Sequence, residues 1–132
     1  MKKFSLMIMC AGFGSRMLDL TNKKPKPLLE FKNLTLLENS INFFHSIGCN
    51  KIFINTHYLH TEIENYIQYN FKNYPISIIY EPIILGTGGG IKNIFNFSKR
   101  KNILVSNSDI YWQDENKKDI INFVKNINEI KN

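Results

Sequence analysis

The segment Cys10-Ala11-Gly12-Phe13-Gly14-Ser15-Arg16-Met17 has the composition of an anion cradle. Glycines at 12 and 14 let backbone N–H groups turn toward one point, and a helix N-terminus following them adds its positive end. Arg16 sits inside the same segment, and its guanidinium offers a fixed fork of donors for phosphate oxygens. A little further on comes Lys24-Pro25-Lys26-Pro27-Leu28. Prolines on both sides of Lys26 restrict the backbone and deny it a helix. Two readings of that run stay open: a rigid solvated loop, or a lysine held at a fixed place over a polyanion. Neither common nucleotide fingerprint is present. A dinucleotide loop would want a third glycine where Met17 stands and an acidic residue where the second apolar run ends at Asn55,. A Walker A loop is absent as well, since Ile91 separates Gly90 from Lys92,.

These residues need a scaffold, and the hydrophobic pattern supplies one. Phe4 to Cys10, Lys51 to Asn55, Ile76 to Tyr80 and Asn102 to Ser106 are short apolar runs. Three of them are near-continuous, as in parallel strands buried on both faces. Helical patterns lie between. Thr35 and Glu38 form a capping box ahead of an apolar face of Leu37, Ile41, Phe44 and Ile47, and Gly48 is a left-handed stop,. Thr61 and Glu64 repeat the device, followed by Ile63, Tyr66 and Ile67,. A third helix is expected over about 90–97, and a fourth from near Asn116 with Ile120, Val124 and Ile127 inward,. Strictly alternating strands and helices predict an α/β fold with a mostly parallel sheet. Ligands of such sheets bind at the carboxyl ends of the strands. Six of the seven glycines and the loop-borne Asp109 fall at that edge; Gly48 alone falls at the other.

Composition excludes several classes. The 132 residues carry 17 Lys+Arg against 11 Asp+Glu, a formal net charge of +6, with 43% apolar residues. That describes one globular domain rather than a disordered chain. Counts of 20 Ile, 18 Asn and 15 Lys against a single Ala point to codon bias, which weakens the case that Lys23-Lys24, Lys99-Arg100-Lys101 and Lys117-Lys118 bind nucleic acid. Those clusters scatter over both sheet edges and a helix, as solvated surface does. No apolar run approaches the roughly 18 residues of a membrane span. Cys10 and Cys49 form no CxxC pair, so reduced thiols in a cytoplasmic protein are the expectation. The Lys2-Lys3 start before Phe4 to Cys10 is a poor lipoprotein signal, because the apolar stretch is short and bulky Met9 precedes the cysteine,.

Taken in order, Ala11 to Met17, Leu20-Thr21, Pro25-Lys26-Pro27-Leu28, Asn55 to Leu59, Leu85-Gly86-Thr87-Gly88-Gly89-Gly90-Ile91 and Val105 to Asp109 resemble the signature of the sugar-1-phosphate nucleotidyltransferases. The resemblance is nearest to the branch of N-acetylmuramate-1-phosphate uridylyltransferase and mannose-1-phosphate guanylyltransferase-like enzymes. It implies a Rossmann-like nucleotidyltransferase fold, helices on both faces of the sheet, and transfer of a nucleoside monophosphate from UTP or GTP to a sugar 1-phosphate. By the same resemblance Ala11, Gly12, Gly14 and Ser15 approach the triphosphate, and Thr87 and Gly88 lie near the nucleobase. Arg16 and Lys26 neutralise charge as pyrophosphate leaves, and Asp109 holds Mg²⁺; for Asp109 a turn or helix cap is the competing reading. His57 and His60 have no nucleophile beside them in sequence and are expected in ordinary loop or capping roles. Asp19 and Cys10 stand where the family has proline and alanine. The family also continues well past the Asn107-Ser108-Asp109 triplet, so 1–132 is expected to be the N-terminal, nucleotide-binding portion without the acceptor-sugar part or a second metal carboxylate. A nucleotide-binding remnant or regulatory subunit is the alternative, with a complementing chain or an oligomer as possible partners.

Overall fold

A computed structural model describes residues 3–12 and 24–129. The chain begins with β1 (Phe4–Cys10), then a 3-10 turn (Lys26–Leu28) and a two-stranded hairpin, β2 (Glu30–Phe31) and β3 (Leu34–Thr35). There follow α1 (Leu36–Ser46), β4 (Cys49–Thr56), α2 (His60–Asn70), β5 (Ile76–Tyr80), α3 (Gly86–Ser98) and β6 (Leu104–Asn107). A 3-10 turn (Asp114–Asn116) leads into α4 (Lys117–Glu129). The main sheet is wholly parallel, in the order β5-β4-β1-β6.

Side-chain alternation along β1 divides the apolar residues between two layers. Leu6, Ile8 and Cys10 pack with Ile52 and Ile54 under α1 and α2, where Leu37, Ile41, Phe44, Ile63 and Ile67 are buried. Ile120 and Ile121 of α4 close over the same layer. Met7 and Phe53 face the other way and meet Ile94 of α3. Helices therefore cover both faces, as expected. Among the described residues α3 is the helix on the second face, and its own Phe95 and Phe97, with Val105 of β6, stay exposed. Ile127, expected inward, is also left exposed. No helix among the described residues is long and apolar enough to cross a membrane.

Helix starts differ from the sequence pattern in instructive ways. Thr35 caps α1 as expected: its hydroxyl accepts from Glu38 N–H at 3.0 Å. The Glu38 carboxylate does not complete the box but accepts from the Tyr66 hydroxyl at 3.1 Å, and that hydroxyl also pairs with Thr35 Oγ1 at 2.9 Å. Thr61 is no cap. The chain turns through left-handed Leu59 (φ 51°), and α2 starts at His60. Helix α3 begins at Gly86 (φ +73°) rather than at Gly90, so the glycine run lies inside it. A Cβ on Gly90 would sit 2.9 Å from Asn55 Nδ2 and 3.1 Å from Glu81 Oε2. The close approach of helix to strand explains a residue that costs an ordinary helix about 1 kcal/mol.

Thr35→Ala removes an N-cap and a partner of Tyr66, so unfolding in urea should show a loss of about 1–2 kcal/mol, with Thr35→Ser near wild type.

Candidate functional site

A crevice of about 340 Å³ opens at the carboxyl ends of β1 and β6, a size suited to a small ligand. It is lined by Ala11 and Gly12 after β1, Lys26 and Pro27, Gly86 and Thr87 of α3, and Asn107 to Asp109 after β6. Asn55 and Glu81 also reach it. This is the point at which the chain, having stepped from β1 to β4 to β5, returns to the other side of β1. Crevices at such reversals are where open α/β sheets bind ligands.

The two sides of the crevice are held by ordinary packing. Pro25 has φ −66° and ψ 148°, and Leu28 N–H donates to its carbonyl at 2.9 Å, closing the turn that carries Lys26. Pro27 and Leu28 are buried and anchor the turn. Opposite, the segment after β6 is fixed by Asn39 of α1, which donates from Nδ2 to the Trp112 carbonyl at 2.9 Å and accepts Trp112 N–H at 2.7 Å. The indole stacks on Phe43 at 5.0 Å, and Tyr111 meets Phe31 of the hairpin edge-on at 4.7 Å. These contacts bring Lys26 Nζ to 3.0 Å from Asp109 Oδ2.

Of the residues singled out by sequence, Ala11, Gly12, Lys26, Thr87 and Asp109 therefore converge on one crevice. Gly88 is one residue beyond the lining, whereas Gly86 belongs to it. Gly14, Ser15 and Arg16 lie outside the described residues. His57 contacts the Glu81 carbonyl through Nδ1 at 2.6 Å, and His60 pairs with Glu64 at 3.2 Å and stacks on Tyr80 at 4.0 Å.

Asn55 and Glu81 were not foreseen as site residues. Both are buried, at 2% exposure each, and joined by a hydrogen bond of 2.9 Å. The available signal was a polar residue placed where an apolar strand ends, once just past Tyr80 and once at Asn55, which also opens the family-like Asn55 to Leu59 segment.

Donor chemistry admits a hard cation. Asp109, with its side chain 44% exposed, presents carboxylate oxygen to the crevice beside Asn107 and Ser108. Among the described residues no three His, Cys, Asp or Glu side chains form a metal cluster. A single carboxylate is too small a side-chain set for a zinc site and is compatible with a hard divalent cation.

A larger groove of about 600 Å³ lies at the opposite edge, lined by Lys3, Arg100 and Lys101 over Phe4, Leu104 and Phe123. It has cations but no glycine or carboxylate among its lining residues.

Residues 5–131 match the family described as Nucleotidyl transferase, and the chain belongs to that family. It is 28% identical over 103 residues to D-glycero-alpha-D-manno-heptose 1-phosphate guanylyltransferase of Aneurinibacillus thermoaerophilus, covering 78% of this chain and 45% of that protein. To N-acetylmuramate alpha-1-phosphate uridylyltransferase of Caulobacter vibrioides it is 28% identical over 110 residues, covering 80% and 46%. HddC from Yersinia pseudotuberculosis, solved also in complex with GMP-PN, superposes with a TM-score of 0.76 at 25% identity, over 89% of this chain and 52% of that one. The chain thus spans about half the length of these relatives. The similarity places it among the relatives of sugar-1-phosphate guanylyl- and uridylyltransferases, in agreement with its motifs.

Both cysteines are buried, and burial pushes their thiols up. Cys10 is raised well beyond the usual thiol range against a smaller opposing pull from Ser108, and Cys49 is raised from 9.0 to about 11. The native state therefore holds both protonated at pH 8, and neither should react with a thiol reagent until the chain unfolds. Because the folded values lie above the unfolded ones, stability is intact below pH 9 and declines as the pH rises toward 11 for Cys49,. Reagent titration and urea melts between pH 7 and 11 check both points.

Proposed function

We propose that the crevice binds the phosphate chain of a nucleoside triphosphate, UTP or GTP, and that the activity it serves is transfer of the nucleoside monophosphate to a sugar 1-phosphate. The observation that carries this reading is Lys26 facing Asp109 across a crevice edged by Ala11 and Gly12, at the strand reversal. An oxygen of the sugar phosphate attacks the α-phosphorus, the bond from that phosphorus to the β-phosphate bridging oxygen breaks, and pyrophosphate leaves. Such a displacement needs positioning and charge stabilisation rather than a covalent nucleophile.

Each residue has a role in that scheme. The Gly12 backbone approaches the phosphates closely because no side chain intervenes. Lys26, released from Asp109, neutralises charge growing on the phosphate oxygens, with Arg16 assisting from the glycine segment. Asp109 would hold Mg²⁺, which would offset phosphate charge there. Thr87, Gly86 and Gly88 at the start of α3 border the nucleoside.

Most of the relatives' names support a sugar 1-phosphate acceptor, and guanylyltransferases are more frequent among them than uridylyltransferases; one relative, from Campylobacter jejuni, is a CTP:phosphoglutamine cytidylyltransferase. Their span supports a second part to the proposal: the half of the relatives' length that 1–132 does not cover would hold the acceptor-sugar contacts, on the same or a complementing chain. The site assigned here is then the nucleotide-binding half of the catalytic domain. One competing reading is nucleotide binding without independent turnover. Two free buried thiols suit the reducing cytoplasm,.

Calorimetry with GTP, UTP and CTP in Mg²⁺, paired with a pyrophosphate-release assay on sugar 1-phosphates, separates the readings. Turnover is expected to fall about 10²–10³-fold in Lys26→Ala. Binding without turnover selects the second reading, and a folded protein that binds no nucleotide removes both.

A further inference from the structure

At the floor of the crevice the buried polar groups form one continuous chain. Cys10 N–H donates to Asn55 Oδ1 at 2.8 Å, and Asn55 Nδ2 donates to Glu81 Oε2 at 2.9 Å. Leu85 N–H reaches Glu81 Oε1 at 3.4 Å, the longest link. Glu81 is itself set in place, its own N–H donating to the Thr56 carbonyl at 2.7 Å. The two ends of this chain are backbone groups, and each immediately precedes a glycine-bearing wall of the crevice: Ala11-Gly12 on one side, Gly86-Thr87 on the other.

Two further observations show that the arrangement is built rather than incidental. Glu81 is 2% exposed, yet the ion pairs among the described residues give it no cation. A carboxylate so deeply buried, with no counter-ion among the described residues, is a costly way to secure a loop that apolar side chains could pack,. The second is Gly90, where a Cβ would clash with Asn55 Nδ2 at 2.9 Å and crowd Glu81 Oε2 at 3.1 Å. The helix carries a glycine in its body so that this pair fits against it.

We infer that Asn55 and Glu81 form a positioning joint that fixes the spacing of the two walls, so that a nucleoside triphosphate touches both at once. The proposal rests on the nucleotide reading above and adds how the site is held to width. Neither residue acts on the reacting atoms. The joint has a definite polarity: position 55 must accept from Cys10 and donate to 81, and position 81 must accept from both neighbours. An amide at 81 can satisfy one neighbour but not both, since its NH₂ group must face a donor. A carboxylate at 55 opposes the one at 81. Exchanging the two groups restores every link, because the new carboxylate at 55 accepts from Cys10 N–H and from the new amide at 81, whose oxygen accepts from Leu85 N–H.

The test compares wild type, Glu81→Gln, Asn55→Asp and the double variant Asn55→Asp/Glu81→Gln, each confirmed folded by its melting curve. Calorimetry measures the tightest-binding of GTP, UTP and CTP with Mg²⁺, and inorganic tripolyphosphate as a probe of the first wall alone. Glu81→Gln should weaken nucleotide about tenfold and leave tripolyphosphate within about twofold. The double variant should return nucleotide affinity to within about threefold of wild type. If Asn55→Asp fails to fold, Glu81→Gln and the double variant still decide. Single variants that bind nucleotide like wild type, nucleotide and tripolyphosphate affinities that fall together, or a double variant no better than Glu81→Gln each overturn the joint while leaving the nucleotide reading standing. Wild-type protein that binds no nucleotide removes that reading, and the joint's role with it.

Discussion

Strand β1 pairs on both sides, with β4 on one edge and β6 on the other, and most of the molecule follows from that constraint. A parallel strand needs a crossover to reach its neighbour, so α1 and α2 carry the chain outward to β5 and α3 brings it back over the opposite face. The reversal leaves Ala11-Gly12 and Asn107 to Asp109 side by side at one end of the sheet. It also sends α3 out from β5 so that its first turn overhangs the same point. The crevice is a consequence of strand order, and its lining residues come from chain segments as far apart as 11 and 109.

Magnitudes separate what holds the crevice from what works in it. The Lys26–Asp109 pair has side chains 25% and 44% exposed, and ion pairs of that kind contribute about 0–1 kcal/mol. It is weak as glue. The buried Leu28, the two-point Asn39–Trp112 clamp and the Phe43, Phe44 and Trp112 rings carry the positioning instead. Two opposite charges held by other contacts can be parted by a ligand at little cost to the fold. That is the arrangement a phosphate and a divalent cation can exploit, since each replaces one partner of the pair.

Much of this was legible in the sequence because it depends on local pattern. The continuous apolar runs located all four main strands, and β5 coincides with Ile76 to Tyr80. The proline-flanked Lys26 and the loop-borne Asp109 were assigned to the same edge, and they meet there. Thr35 read correctly because an N-cap is a local hydrogen bond. What escaped were features decided by contacts between distant segments. Thr61 has the composition of a cap, but the turn at Leu59 starts the helix before it. The Gly86 to Gly90 run looks like a loop by propensity but is helical, and it brings Gly90 close to Asn55 and Glu81. Glu81 was visible only as a polar residue past an apolar strand, and Asn55 as a strand ending that opens one of the family-like segments. Their pairing needs β4 and β5 laid side by side.

The central claim is that the β1–β6 crevice is a nucleotide phosphate site whose Lys26–Asp109 pair is exchanged for ligand contacts. The most direct measurement is a crystal structure of the chain grown with Mg²⁺ and a non-hydrolysable analogue of the nucleotide that binds it. The account predicts the phosphates between Gly12 and Lys26, with Lys26 Nζ withdrawn from Asp109 and a cation at the freed carboxylate. Phosphates seated instead in the Lys3, Arg100 and Lys101 groove, or bound with the 3.0 Å pair intact, would contradict it.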